Sequence, residues 1–231
     1  MAIKIKTIDD FDYTGKTVLL RVDINSPIDP KTGKIVNENR INKSLPTIGD
    51  LAAKGARVVI IAHQGDTLDY QNLISTNEHA GKLSAKLGQT VHFVNDVAGP
   101  AARDAIRALK SGEILLLDNL RYLTEEVSTF ENDVKLTPGQ MTGTYLVRSL
   151  APLMDYYVND AFAAAHRNAP SMVAFQELLP SAAGRLLMDE LTALSSVTDN
   201  PSRPCVFLLG GLKISDAFGM MHAVLNNGIA D

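Results

Sequence analysis

Apolar positions in this chain gather into short runs, and most of the runs end abruptly in polar side chains. Val18, Leu19, Leu20 and Val22 form one run of β-formers that breaks off at Asp23, Asn25 and Pro27. The design recurs at Ala56 to His63, which exits through His63, Gln64, Gly65 and Asp66. It recurs again at Glu113 to Asn119, with Asp118, Asn119 and Arg121 at its mouth, and at Asp155 to Asp160, which leads on to His166 and Arg167. Thr90 to Val94 is a shorter run of the same kind. Strands that read as nearly continuous apolar runs belong to parallel sheets covered on both faces. Between them the spacing turns helical: Ile41, Leu45, Ile48, Leu51 and Ala52 before a stop at Gly55, and Ala80, Leu83 and Leu87 before Gly88, with Thr76 or Asn77 as cap. Pro100 to Leu109 and a stretch around Met141 to Ala151 also read as helix.

Strand and helix in alternation are the signature of βαβ units. The expected fold class is α/β, with a doubly wound, mostly parallel, Rossmann-like sheet over residues 1–180. An amphipathic helix from Ser181 to Val197 then forms an interdomain segment, 181–199. The turn-rich stretch from Asp199 to Pro204 opens a second, incomplete α/β domain over 200–231, with a buried strand at Cys205 to Leu209, a glycine pair, and a helix from Ser215 to Asn227. One strand and one helix bury too little apolar surface to offset the entropy of ordering them. A truncated chain is therefore expected.

Composition narrows the class. The 231 residues are 45% hydrophobic and 21% charged, as in globular domains. A net charge of −4 without a basic stripe argues against a nucleic-acid partner, although local arginines can still hold a small anion. The single cysteine, Cys205, precludes an internal disulfide and fits a reducing compartment. No signal peptide or membrane-spanning run is visible, so a cytoplasmic protein without a membrane partner is expected.

The strand exits carry the chemistry. Asp23 and Asn25, His63, Arg121 and Arg167, together with Arg40 from the segment after the first strand, suit a small anion. Guanidinium groups bind phosphate and carboxylate oxygens through paired donors, and Asp with Asn can orient a hydroxyl. Any one arginine alone reads as a surface ion pair, but three at crevice positions read as a site. His166 reads as a loop histidine bonded to backbone, and His79, His92 and His222 as structural. A second constellation is Leu209 to Asp216, LGGLKISD, in which Gly211 lets backbone approach phosphate and Lys213 adds a mobile charge. Neither HExxH nor GxSxG is present.

Taken in order, these motifs resemble phosphoglycerate kinase, its archaeal branch in particular. They are RVDINSPI at Arg21 to Ile28, NENRI with Arg40, AHQG at Ala62 to Gly65, LLDNLRY at Leu116 to Tyr122, YVNDAFAAAHR at Tyr157 to Arg167, LPSAAG at Leu179 to Gly184, and LGGLKISD. The resemblance covers essentially the whole chain. It implies an enzyme that transfers a phosphoryl group reversibly between 1,3-bisphosphoglycerate and ADP, giving 3-phosphoglycerate and ATP. The first domain would hold 3-phosphoglycerate and the second ADP or ATP with Mg2+. By resemblance, Asp23, Asn25, Arg40, His63, Gln64, Gly65, Arg121 and Arg167 bind the substrate. Gly211 and Lys213 meet the nucleotide, and Arg40 and Lys213 act on the group in flight. Two positions depart from the family pattern, Asp66 where an arginine is common and Ala217 where a lysine is common. The later nucleotide loops are missing, so this chain alone is expected to be nearly inactive; an oligomer remains compatible. The alternatives are a stand-alone 3-phosphoglycerate-binding module and a sugar-phosphate isomerase or epimerase with His63 as base.

Overall fold

The computed structural model describes residues 5–66, 70–199, 201–208 and 214–230. The glycine pair and Lys213 lie outside them. Six strands, β1 (Thr17–Arg21), β2 (Arg57–Ile61), β3 (Val91–Val94), β4 (Ile114–Leu117), β5 (Tyr156–Asn159) and β6 (Ser181–Ala183), pair in parallel in the order β3-β4-β2-β1-β5-β6. The helices are α1 (Asn39–Ala53), α2 (Asn77–Leu87), α3 (Pro100–Ala108), α4 (Ser128–Val134), α5 (Pro138–Met141), α6 (Tyr145–Leu150), α7 (Pro170–Val173), α8 (Arg185–Thr198) and α9 (Ile214–Asn226).

Successive strand residues point to opposite faces, and here both faces are apolar. Val18, Leu20, Val58, Ile60, Ile114 and Leu116 pack with Ile41, Ile48 and Leu51 of α1 and Leu83 of α2. Leu19, Val59, Ile61, Leu115 and Leu117 pack on the other side with Ile106 of α3 and Leu146, Val147 and Leu150 of α6. This is the doubly wound α/β fold that the alternating runs predict.

Four expectations are corrected. The helix expected from Ser181 begins later, because Ser181–Ala183 pairs with Tyr157–Asn159 as the edge strand β6. One of the two compact units of the chain, the one that holds the sheet, is Ile5–Leu187. The helix around Met141 to Ala151 is two pieces, α5 and α6, since the Thr144 hydroxyl donates to the Met141 carbonyl at 2.7 Å and competes with helical backbone bonding. Thr76 does not cap α2 with its side chain. Its hydroxyl donates to the Leu117 carbonyl at 3.0 Å and its amide to Asp118 at 2.9 Å, which ties the helix to the exit of β4. Residues 205–208 are not a strand: Val206 and Leu208 are 81% and 99% exposed, and a strand needs a neighbour to satisfy its backbone groups.

Candidate functional site

Strand order explains where the site falls. β4, β2, β1 and β5 are consecutive neighbours, and all run the same way, so their carboxyl ends open on one edge. The chain leaves β1 toward β2 on one side and reaches β5 on the other. Ligands in open α/β sheets bind at such a reversal. A cavity of about 680 Å³ occupies this position. Its wall includes Asp23 and Asn25 after β1, His63, Gly65 and Asp66 after β2, Arg121 after β4, and His166 and Arg167 after β5. Arg40 joins from the first turn of α1 rather than from the segment before it.

Three of the pocket arginines are held directly by an acidic group. Arg40 Nη1 lies 2.5 Å from Asp23 Oδ2, Arg121 pairs with Asp66, and Arg167 Nε donates to Glu131 at 2.7 Å. Arg21, which the sequence reading passed over as strand, is a further pocket cation and only 3% exposed. Its Nε donates to Ser171 Oγ at 3.2 Å, and that hydroxyl donates onward to Glu126 Oε2 at 2.6 Å. Glu126 also accepts the Ser171 amide at 2.7 Å, while Tyr157 holds the Ser171 carbonyl at 2.8 Å. Burial pushes the Glu126 carboxyl up, against the pull of the Ser171 bonds and the Arg21 charge.

His63 sits among these cations. Burial first, then the charges of Arg21, Arg121, Arg167 and Arg40, holds its imidazole well below the ordinary histidine range. It is therefore neutral at pH 7. Arg21 Nη2 lies 3.0 Å from His63 Nδ1, and a guanidinium can only donate, so Nδ1 accepts and the proton is on Nε2. His63 offers a ligand one donor and has no free lone pair to take a proton. A base role, as an isomerase would need, has no support in this geometry.

Polar side chains under the pocket suture the exits. Asn119 accepts the Gln64 and Arg121 amides at 3.0 Å each and donates to the Gln64 and Ile74 carbonyls at 2.7 and 2.8 Å. Asn25 Oδ1 takes the Gly65 amide at 3.0 Å. Gln64, expected at the substrate, is instead fully buried and off the pocket wall. Its amide nitrogen donates to Ser26 and Asn72 carbonyls at 2.9 and 3.1 Å, and its oxygen accepts the Ser26 amide at 2.8 Å and faces His79 Nε2 at 3.2 Å. His166, read from sequence as a loop histidine, lines the cavity.

Among the described residues no cluster of His, Cys, Asp or Glu could hold a metal ion. Gly211 and Lys213, the expected nucleotide contacts, lie outside those residues. No described helix is long and apolar enough to cross a membrane.

A parallel α/β sheet that gathers guanidinium groups and a neutral imidazole at its carboxyl edge is a Rossmann-like domain with donors suited to a small anion. The family model for phosphoglycerate kinase matches residues 8–230. The phosphoglycerate kinase of Methanothermobacter thermautotrophicus is 47% identical over 231 residues, covering all of this chain and 54% of that protein. That of Sulfurisphaera tokodaii is 45% identical over 229 residues, covering 99% and 54%. The crystal structure of phosphoglycerate kinase from Pyrococcus horikoshii superposes with a TM-score of 0.91 at 40% identity, over 98% of this chain and 54% of that one. The chain belongs to the phosphoglycerate kinase family, and it spans about half the length of the curated relatives it matches.

Proposed function

We propose that the chain is the acceptor-binding part of a phosphoglycerate kinase, which moves a phosphoryl group reversibly between 1,3-bisphosphoglycerate and ADP to give 3-phosphoglycerate and ATP. The observation that carries this reading is the single cavity whose wall Arg21, Arg40, Arg121 and Arg167 share with His63 at the carboxyl edge of the sheet. Phosphoryl transfer to a carboxylate depends on positioning and on screening negative charge as donor and acceptor approach. Arg21, Arg121 and Arg167 with His63 Nε2 supply donors for the phosphate and carboxylate of 3-phosphoglycerate. Asp23 and Asn25 face its hydroxyl. Arg40, at the rim, screens the group in transfer.

Mg2+ with ADP or ATP belongs to the nucleotide side, to which this chain contributes Gly211 and Lys213. The protein works in the cytoplasm on small molecules, without a nucleic-acid or membrane partner. Residues 1–231 alone bind 3-phosphoglycerate but turn over little.

Calorimetry with 3-phosphoglycerate tests the reading. The unmodified chain should bind it, and Arg121→Ala should weaken binding about tenfold or more, the cost of a lost charge-assisted contact. A coupled assay of ATP consumption should show almost no turnover. No heat of binding at millimolar ligand would refute the proposal.

A further inference from the structure

Arg121 does not wait for its ligand with its donors bare. Asp66 occupies it as an ion pair inside the pocket, and both belong to the cavity wall. The Asp66 carboxylate is held there from a second direction, by Ser128 Oγ at 2.7 Å. That hydroxyl in turn accepts from Arg167 Nη2 at 2.8 Å. One carboxylate thus reaches two ligand-facing arginines, directly and through a serine. It stands where an incoming phosphate or carboxylate oxygen would take paired guanidinium donors.

Two anions cannot share that end of the cavity without strong repulsion, since a partly dehydrated site screens like charges poorly. We propose that Asp66 is a built-in competitor: it keeps Arg121 and Arg167 in place in the free protein, and an anionic ligand must displace its carboxylate from Arg121 to bind. The residue thereby sets the affinity for the phosphorylated acid, holding it weaker than the arginines alone would give. A single carboxylate is a suitable competitor because a phosphate monoester carries close to two charges at neutral pH and accepts more hydrogen bonds, so it wins the exchange.

The inference rests on the pocket binding a phosphorylated acid, as proposed above. Its test uses calorimetric titration of 3-phosphoglycerate and of inorganic phosphate into the unmodified chain, Asp66→Asn and Asp66→Ser. Thermal melts confirm that each variant is folded, and the serine form serves if the asparagine form is not. Both variants should bind each ligand about tenfold more tightly than the unmodified chain. Equal or weaker binding by the variants, with the unmodified chain binding 3-phosphoglycerate, overturns the competitor role and leaves the proposed function standing. Tighter inorganic phosphate binding by the variants, with no form binding 3-phosphoglycerate, supports the competitor role and removes the proposed function. If no form binds either ligand, both readings fall.

Discussion

Arg21 Nη2 and His63 Nδ1 are 3.0 Å apart, an arginine donating to an imidazole that must be neutral to receive it. The contact joins the ends of two adjacent strands, β1 and β2, and determines which ring nitrogen faces the pocket. His63 is thereby a fixed hydrogen-bond donor, and its charge state does not follow the ordinary histidine titration.

A dependence of stability on pH follows from this arrangement. His63 is held well below 6.5 and His79, buried beneath it against Gln64, is pushed down to about 4 by loss of solvation. In the unfolded chain both histidines take up protons below about 6.5. The folded chain binds fewer protons in that range, so stability present above pH 6.5 is lost as pH falls toward the folded values. Each histidine contributes a slope of up to about 1.4 kcal/mol per pH unit. Carboxylates held low by partners, such as Glu38 at about 2, titrate beneath this window. Urea unfolding at pH 7, 6 and 5 should show the decline, and His79→Gln should remove about half of its slope. A flat profile over that interval would contradict the neutral assignment of both rings.

Much of the fold was legible because buried parallel strands announce themselves as apolar runs, and their polar exits named His63, Arg121 and Arg167. Their convergence was not legible. It depends on β4, β2, β1 and β5 being neighbours, which is a property of the sheet order and not of any one run. Arg21 was overlooked because it sits in register with Ile61 and Asn159 at the end of an apolar strand. The available signal was the charge itself, since a cation in a strand buried on both faces must have a partner. Gln64 was misplaced for a related reason: it follows His63 at the exit of β2, but its side chain is taken up by the Ser26 backbone and the Asn72 carbonyl, partners from other loops that no local pattern reveals. At Ser181–Ala183 pairing with β5 overrides a local sequence that suits helix equally well.

Glu126 should matter for stability more than its distance from the strand exits suggests. Its carboxylate accepts both Ser171 donors, and Ser171 Oγ accepts from Arg21 Nε, so one acidic group balances a cation that is itself buried. Loss of Glu126 leaves both Ser171 donors unpaired and removes the acidic group that faces the buried Arg21 through that serine, a cost on the order of 3 kcal/mol. Glu126→Ala should therefore lower the unfolding free energy by about 3 kcal/mol, and Glu126→Gln, which keeps the volume and one acceptor, by less. Urea denaturation measures both. Equal, small losses in the two variants would mean that Arg21 has a different counter-charge.

Gly65 joins backbone geometry to the site, and a second glycine provides its control. Gly65 has φ +70°, and a Cβ built there would overlap the Asn72 carbonyl and the Leu73 nitrogen. That segment cannot retreat easily, because Gln64 Nε2 holds the Asn72 carbonyl at 3.1 Å. Gly33 has nearly the same conformation, φ +66°, with open space around its would-be Cβ. Left-handed backbone alone costs a non-glycine residue about 1–2 kcal/mol, so Gly33→Ala isolates that component. Gly65→Ala should lose at least about 3 kcal/mol, because backbone overlap adds to the conformational strain. It should also weaken 3-phosphoglycerate binding, since the Gly65 amide holds Asn25 at the exit of β1. Gly33, in the turn between Asp29 and Lys34, carries no pocket contact, so its alanine variant should bind as the unmodified chain does. Melting temperatures and calorimetric affinities measured on the two variants side by side separate these effects; equal losses of stability would show that the Asn72 segment yields, and that conformation rather than close packing requires glycine at position 65.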